Sequence, residues 1–306
     1  MSAIRTLLAE SIDYAGLFPP AGLDMATAVK NYARYRKEPA AWALGRFVVP
    51  ASRLHEFETA ATGSIPGNPT SQPWRLALLA GPDLAGDLEM AAEFNGRQSQ
   101  LVAPAFLADS IEVKASRVGG IEEIMHRIPR TLQAYIEVPI DRDPRDLLAA
   151  VGRLGGRAKV RTGGVTRDAF PTTNDLLRFV RGCVQASLPF KATAGLHHPL
   201  RAEYHLTYAP DSPAGVMFGF LNLLLATAFL RAGMEKTDTA RLLEERSPEA
   251  FQVDENGISW KGRRLDVEAL GKARKEGLIS FGSCSFTEPL SDLAALNLLP
   301  RRVPQA

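Results

Sequence analysis

Short apolar runs recur along this chain, and most are followed by a stretch whose apolar positions repeat at helical spacing. Eight runs read as strands: 12–18 (IDYAGLF), 46–51 (RFVVPA), 75–81 (RLALLAG), 110–116 (SIEVKAS), 134–139 (AYIEVP), 158–164 (AKVRTGG), 189–195 (PFKATAG) and 279–286 (ISFGSCSF). Between them, 24–39, 83–95 and 172–186 carry helical patterns, and the last opens on threonines and an acid, which favour a helix start. Strands alternating with single helices pair in parallel through crossovers, and eight such units close naturally into a barrel. The expected fold is α/β, a (β/α)8 TIM barrel forming a single domain over 1–306. An open doubly wound sheet would want a GxGxxG turn after the first strand, and GLFPPAGLD lacks that spacing.

One stretch breaks the regular count. Residues 196–278, between the seventh and eighth strands, are too many for one helix. They hold the longest apolar run, 216–230, and then 251–265, where Asn256-Gly257 between strand-like runs predicts a β-hairpin. This region is expected as a helix-plus-hairpin insertion decorating the barrel. The run 216–230 is shorter than the ~20 residues that span a bilayer, and Asn222 interrupts it, so no membrane is expected as a partner. It predicts a helix buried under the 251–265 hairpin or at a homo-oligomer contact.

Composition narrows the function classes. At 306 residues, 45% hydrophobic and 23% charged, the chain can bury a sizeable core. Its 36 basic and 34 acidic residues leave a net charge of only +2 with no basic block, which argues against nucleic acid as a partner. The N-terminal segment lacks the apolar core and cleavage site of a secretory signal, and two cysteines, Cys183 and Cys284, can build neither a disulfide framework nor a zinc cluster. A cytoplasmic setting is expected, with both thiols small and buried.

Charge placement on the strands is the informative feature. Successive strand residues face opposite sides. Glu112 and Lys114 oppose Ile111 and Val113; Glu137 shares a face with Tyr135; Lys159 and Arg161 oppose Ala158 and Val160; Lys191 and Thr193 oppose Phe190 and Ala192. The apolar set belongs against the helices, so the charged set must face the barrel axis, near the carboxyl ends where such barrels hold their sites. Burying charge costs several kcal/mol per ion unless the charge is paired or serves a ligand. Lys114, Lys159, Arg161 and Lys191 exceed Glu112 and Glu137 by two charges, and a small anionic substrate would supply the balance.

The adjoining loops add polar groups. Gly163 and Gly164 let backbone amides approach an anion, His197 and His198 follow the seventh strand, and Asp13 opens the first. Adjacent histidines rarely point the same way, so one of the two is expected to serve the site.

With KVRTGG, FKATAGL and FGSCS on the last three strands, the chain resembles deoxyribose-phosphate aldolase, a class I aldolase barrel. The resemblance covers short motifs on about five strands, IDYAGL and SIEVK included. It implies an imine-forming lysine at Lys159, in the K-x-x-T-G pattern of the sixth strand, and a second lysine at Lys191, in the K-A-S/T-small-G pattern of the seventh. It implies a proton-shuttling acid at Glu112, and it adds Ser283 of FGSCS to the candidate substrate contacts. Two features depart from the family: Arg161 stands where a small residue is usual, and GLHHP replaces the paired glycines that bind phosphate.

The expected function is therefore a carbon–carbon lyase that acts through a lysine imine on a small anionic carbonyl compound and needs no cofactor. A lysine attacks a carbonyl only as the neutral amine, and a second ammonium nearby, with burial, would lower the Lys159 pKa. Two other readings stay open: a metal-assisted lyase or hydrolase using Glu137 and His197 or His198, and a non-catalytic barrel that binds an anion.

Overall fold

A computed structural model of the chain describes residues 2–64 and 72–299. The outer ends of the expected 1–306 domain lie outside the described residues. Eight strands run in parallel around a closed barrel: β1 (Ile12–Tyr14), β2 (Leu44–Pro50), β3 (Trp74–Leu79), β4 (Phe106–Lys114), β5 (Gln133–Glu137), β6 (Arg157–Arg161), β7 (Phe190–Thr193) and β8 (Leu278–Ser283). Each pairs with its chain neighbours, and β8 closes the ring onto β1. The chain is a (β/α)8 TIM barrel. Strand β6 lies between β5 and β7, with Glu137 beside Lys159 and Lys159 beside Lys191 in register.

The alternation that predicts the strands also explains their packing. Ile111, Ile136, Ala158, Val160, Phe190 and Ala192 point outward and are wholly buried beneath the helices. Polar side chains begin several of those helices. Asp24 accepts a hydrogen bond from the Thr27 amide at 2.8 Å, and Thr172 accepts one from the Asp175 amide at 3.2 Å. Each satisfies a helix-start amide that has no partner in the helix.

Several strands are shorter at their carboxyl ends than the apolar runs. The run 158–164 leaves the sheet after Arg161, and 189–195 leaves it after Thr193, because Ala194 and Gly195 adopt φ of 67° and 73°. Those angles cannot continue a strand. The residues released become the loops around the barrel mouth.

The region 196–278 is richer than one helix and one hairpin. A two-stranded hairpin (Ala202–His205 and Ala214–Met217) precedes helix Phe220–Arg231, helix Lys236–Leu243, a three-stranded antiparallel sheet (Phe251–Val253, Gly257–Trp260, Arg263–Asp266) and helix Val267–Glu276. The expected hairpin at Asn256-Gly257 forms, and a third strand joins through Lys261-Gly262, whose φ of 47° and 81° suit a tight two-residue turn.

The apolar run 216–230 differs from expectation in two ways. Its first residues belong to a strand, and the helix over Phe220–Arg231 is covered by helices Thr173–Gln185, Lys236–Leu243 and Val267–Glu276 and by β8, rather than by the hairpin. Residues 220–229 are all buried within the chain, so the apolar surface that suggested an oligomer contact already has intramolecular partners. Asn222 fits the same picture: its amide donates to the Leu242 and Glu245 carbonyls, and its oxygen accepts from the Arg201 amide. Among the described residues, no helix is long and apolar enough to cross a membrane.

Candidate active site at the barrel mouth

The charged side chains of five strands converge inside the barrel in one alternating network. At its base, Asp13 on β1 accepts hydrogen bonds from the Arg46 amide at 2.9 Å and the Ser280 hydroxyl at 2.8 Å. Gly45 permits that contact, since a Cβ there would stand 2.4 Å from the Asp13 carboxylate. The other Asp13 interaction is with Lys191, whose Nζ donates to Asp13 at 2.7 Å and to Glu112 at 2.5 Å. The ring of Tyr135 also lies 5.4 Å from that ammonium. Glu112 turns its second oxygen to Lys159, 2.7 Å away, and Lys159 contacts Glu137 at 2.7 Å as well.

This order of charges differs from the one expected. The two lysines do face one axis as register partners, but Glu112 stands between them and touches both. Burial pushes Glu112 up, yet the two ammonium groups outweigh it and bring its carboxyl down to about 2. Burial also pushes the Lys191 ammonium down, and Asp13 and Glu112 overcome this and hold it above the ordinary lysine range. The expected charge excess shrinks too, because Asp13 adds a third carboxylate and Lys114 is 73% exposed at the rim, 3.8 Å from Glu137.

Above the network lies a cavity of about 200 Å³ that opens at the carboxyl ends of the strands. Lys159 and Glu112 form its polar floor, Val48 and Leu79 an apolar wall, and Arg161, Thr193 and His197 the opposite side. Arg161 donates from Nε to the Gly163 carbonyl at 3.1 Å and, among the described residues, has no carboxylate partner. It also borders a second groove that contains Glu137 and Lys114. The Thr193 hydroxyl is buried without a hydrogen-bond partner among the described residues.

The remaining candidates divide clearly. Gly164 lines the cavity, whereas Gly163 packs against Phe170, 2.4 Å from where its Cβ would stand, and keeps the loops after β6 and β7 close. Ser283 accepts from the Ser285 amide at 3.3 Å and is off the cavity wall. Asp13 and Lys191 are sealed beneath it. Of the two histidines, His197 faces the cavity, while His198 stacks on Tyr204 at 3.6 Å and bonds Asp292 at 2.6 Å.

His197 brings in residues that the sequence did not single out. Its Nδ1 lies 3.7 Å from the Cys284 sulfur and 3.6 Å from Glu288, and Tyr208 bonds Glu288 at 3.0 Å. Burial would lower the imidazole pKa, but hydrogen bonding to Cys284 and Glu288 raises it to about 9, so His197 is a cation at neutral pH. Cys284 is buried, as expected, yet its side chain is also part of the cavity wall. Its position at the carboxyl end of the eighth strand was the signal available. Glu137 is engaged by lysines and His197 by Cys284 and Glu288. Among the described residues, no three His, Cys, Asp or Glu side chains are grouped to hold a metal ion.

No family model matches the sequence, and no curated protein matches it. Among solved structures, a point mutant of FabK from Thermotoga maritima is similar at 14% identity, with a TM-score of 0.37, over 65% of this chain and 58% of that one. The chain thus spans little more than half of that protein's length. A likeness this remote decides nothing, and the fold rests on the closed ring of eight parallel strands alone.

Proposed function

We propose that this chain is an enzyme of aldolase type, a carbon–carbon lyase that forms an imine between Lys159 and a small carbonyl compound whose anionic group is held by Arg161. The observation that carries this reading is the unequal setting of the two lysines. Lys191 is closed in below, whereas the Lys159 amine borders the mouth cavity between two carboxylates. A lysine in ion-pair contact must lose a proton before it attacks; Glu112 and Glu137 both lie 2.7 Å away, and since Glu112 is also held ionised by Lys191, Glu137 is the better acceptor. After the amine adds to the carbonyl, loss of water gives the iminium, an electron sink for cleavage of the adjacent carbon–carbon bond. Glu112, which also borders the cavity, would move protons to and from the substrate through water.

Arg161 supports the anionic character of the substrate, since it lines the cavity with no carboxylate of its own among the described residues. The His197 imidazolium, the Thr193 hydroxyl and the Gly164 backbone are the further contacts available there.

The test is borohydride trapping with a panel of small aldehydes, ketones and oxo-acids, read by intact mass. The parent chain should gain the mass of a reduced imine, and Lys159→Met should not. Arg161→Ala should weaken trapping of the anionic compounds and spare the neutral ones. Trapping that survives Lys159→Met, or no trapping with any compound, would overturn the reading. The rival, a non-catalytic anion-binding barrel, draws on the same ion pairs. It predicts Arg161-dependent thermal stabilisation by anions with no mass gain.

A further inference from the structure

Cys284, Tyr208 and Glu288, which adjoin His197, are not used by the imine chemistry. Cys284 lines both the mouth cavity and an adjoining groove that contains Tyr14, Tyr208 and Glu288, although the residue is only 5% exposed. The titratable groups around it include His197 from the loop after β7, Tyr208 from the loop before Ala214–Met217, Glu288 from helix Thr287–Ala295, Tyr14 from β1 and Tyr35 from helix Met25–Tyr35. Tyr208 lies 3.4 Å from the sulfur and His197 Nδ1 3.7 Å from it. Cys183, the second cysteine, stands in contrast. It is buried in helix Thr173–Gln185, and burial alone pushes its thiol well up.

We propose that Cys284 is a modification site, a thiol at the barrel mouth that peroxides oxidise to a sulfenic acid while the adjacent His197 stabilises the negative charge developing on the departing peroxide oxygen. The Sγ–O bond forms as the peroxide O–O bond breaks, sulfur loses two electrons, and the thiol proton leaves with the departing hydroxide as water. The Tyr208 hydroxyl gives its proton to Glu288, so at 3.4 Å from the sulfur it accepts from the Cys284 thiol and holds the thiol beside His197. The cluster is not a hydrolase relay: thiol and carboxylate both approach the same ring nitrogen of His197, whereas a relay holds them on opposite nitrogens.

The full chain, treated with hydrogen peroxide at pH 7 in the presence of dimedone, is read by intact mass and peptide mapping. The expected result is one dimedone adduct, at Cys284 and not at Cys183. His197→Gln, with its fold checked by circular dichroism, should slow that adduct about tenfold, the effect of losing one neighbouring charge. The preference between the two cysteines is measured on the parent chain, so it decides the matter even if the variant fails to fold. Equal labelling of both cysteines, an unlabelled Cys284, or a folded His197→Gln chain oxidised as fast as the parent would overturn the proposal. The same labelling is expected in Lys159→Met, which separates this site from the imine chemistry.

Discussion

Glu112→Gln removes one charge from the middle of the network and changes little in shape. Glu112 is 2% exposed and holds Lys159 at 2.7 Å and Lys191 at 2.5 Å, so glutamine leaves two buried ammonium groups that share one carboxylate fewer. A carboxyl drawn from 4.5 to about 2 contributes about 3 kcal/mol to stability at neutral pH. That agrees with the ~3–5 kcal/mol lost when a buried pair is broken by removing one partner. The sign follows from the lowered pKa: the contribution is complete above the unfolded value of 4.5 and disappears as pH falls through about 2. Urea unfolding of the parent chain should therefore show stability falling between about pH 5 and pH 2, with Glu112 among the carboxyls responsible. The variant should start about 3 kcal/mol lower at pH 7 and lose less on acidification, so the two curves converge. A variant within about 1 kcal/mol of the parent at pH 7, or one with the same acid dependence, would refute the account of Glu112 as the shared counter-ion.

Two further outcomes follow from the same geometry. Lys191→Met should cost about 3–5 kcal/mol by urea unfolding, because it leaves Asp13 and Glu112 buried with one cation fewer; a cost below about 1 kcal/mol would contradict the pairing. The His197 imidazole, followed by NMR, should titrate near 9, and Glu288→Gln should move it down toward 6.5; since the folded value is the higher one, its contribution to stability is complete below pH 6.5 and is lost as pH rises through about 9.

The strands were legible because each presents an apolar alternate to the helices, and a period of two survives in runs as short as FKAT. Their carboxyl ends were not. Nothing in the apolar pattern marks Ala194 as a residue with positive φ, and the loops that begin there hold much of the cavity wall. The inward charges were legible for the same reason as the strands, but their partners were not. Asp13 meets Lys191 across 178 residues of chain, and a carboxylate on a three-residue strand has no alternation to reveal its direction. Between β7 and β8, the Lys261-Gly262 turn lacks the Asn-Gly signature, so its third strand went unseen. Cys284 was judged by its burial, which is correct, although a buried side chain at the end of a barrel strand can still border the mouth.

The unequal lysines give the network a direction. From the base upward the order is Asp13, Lys191, Glu112, Lys159 and Glu137, three carboxylates alternating with two ammonium groups, with the cation of Arg161 at the mouth. On the proposed chemistry, the proton of Lys159 passes to Glu137, and both groups become neutral without changing the total charge of the barrel interior. Glu112 then loses one ammonium contact, and without Lys191 it would be a buried carboxylate with no partner. Lys191 therefore does not suppress the charge of the nucleophile, as the sequence suggested. Held charged by Asp13 from below, it keeps Glu112 ionised and fixed while Lys159 is bound to substrate. That division of labour is what an imine-forming site needs, with one lysine free to change its charge and the other prevented from doing so.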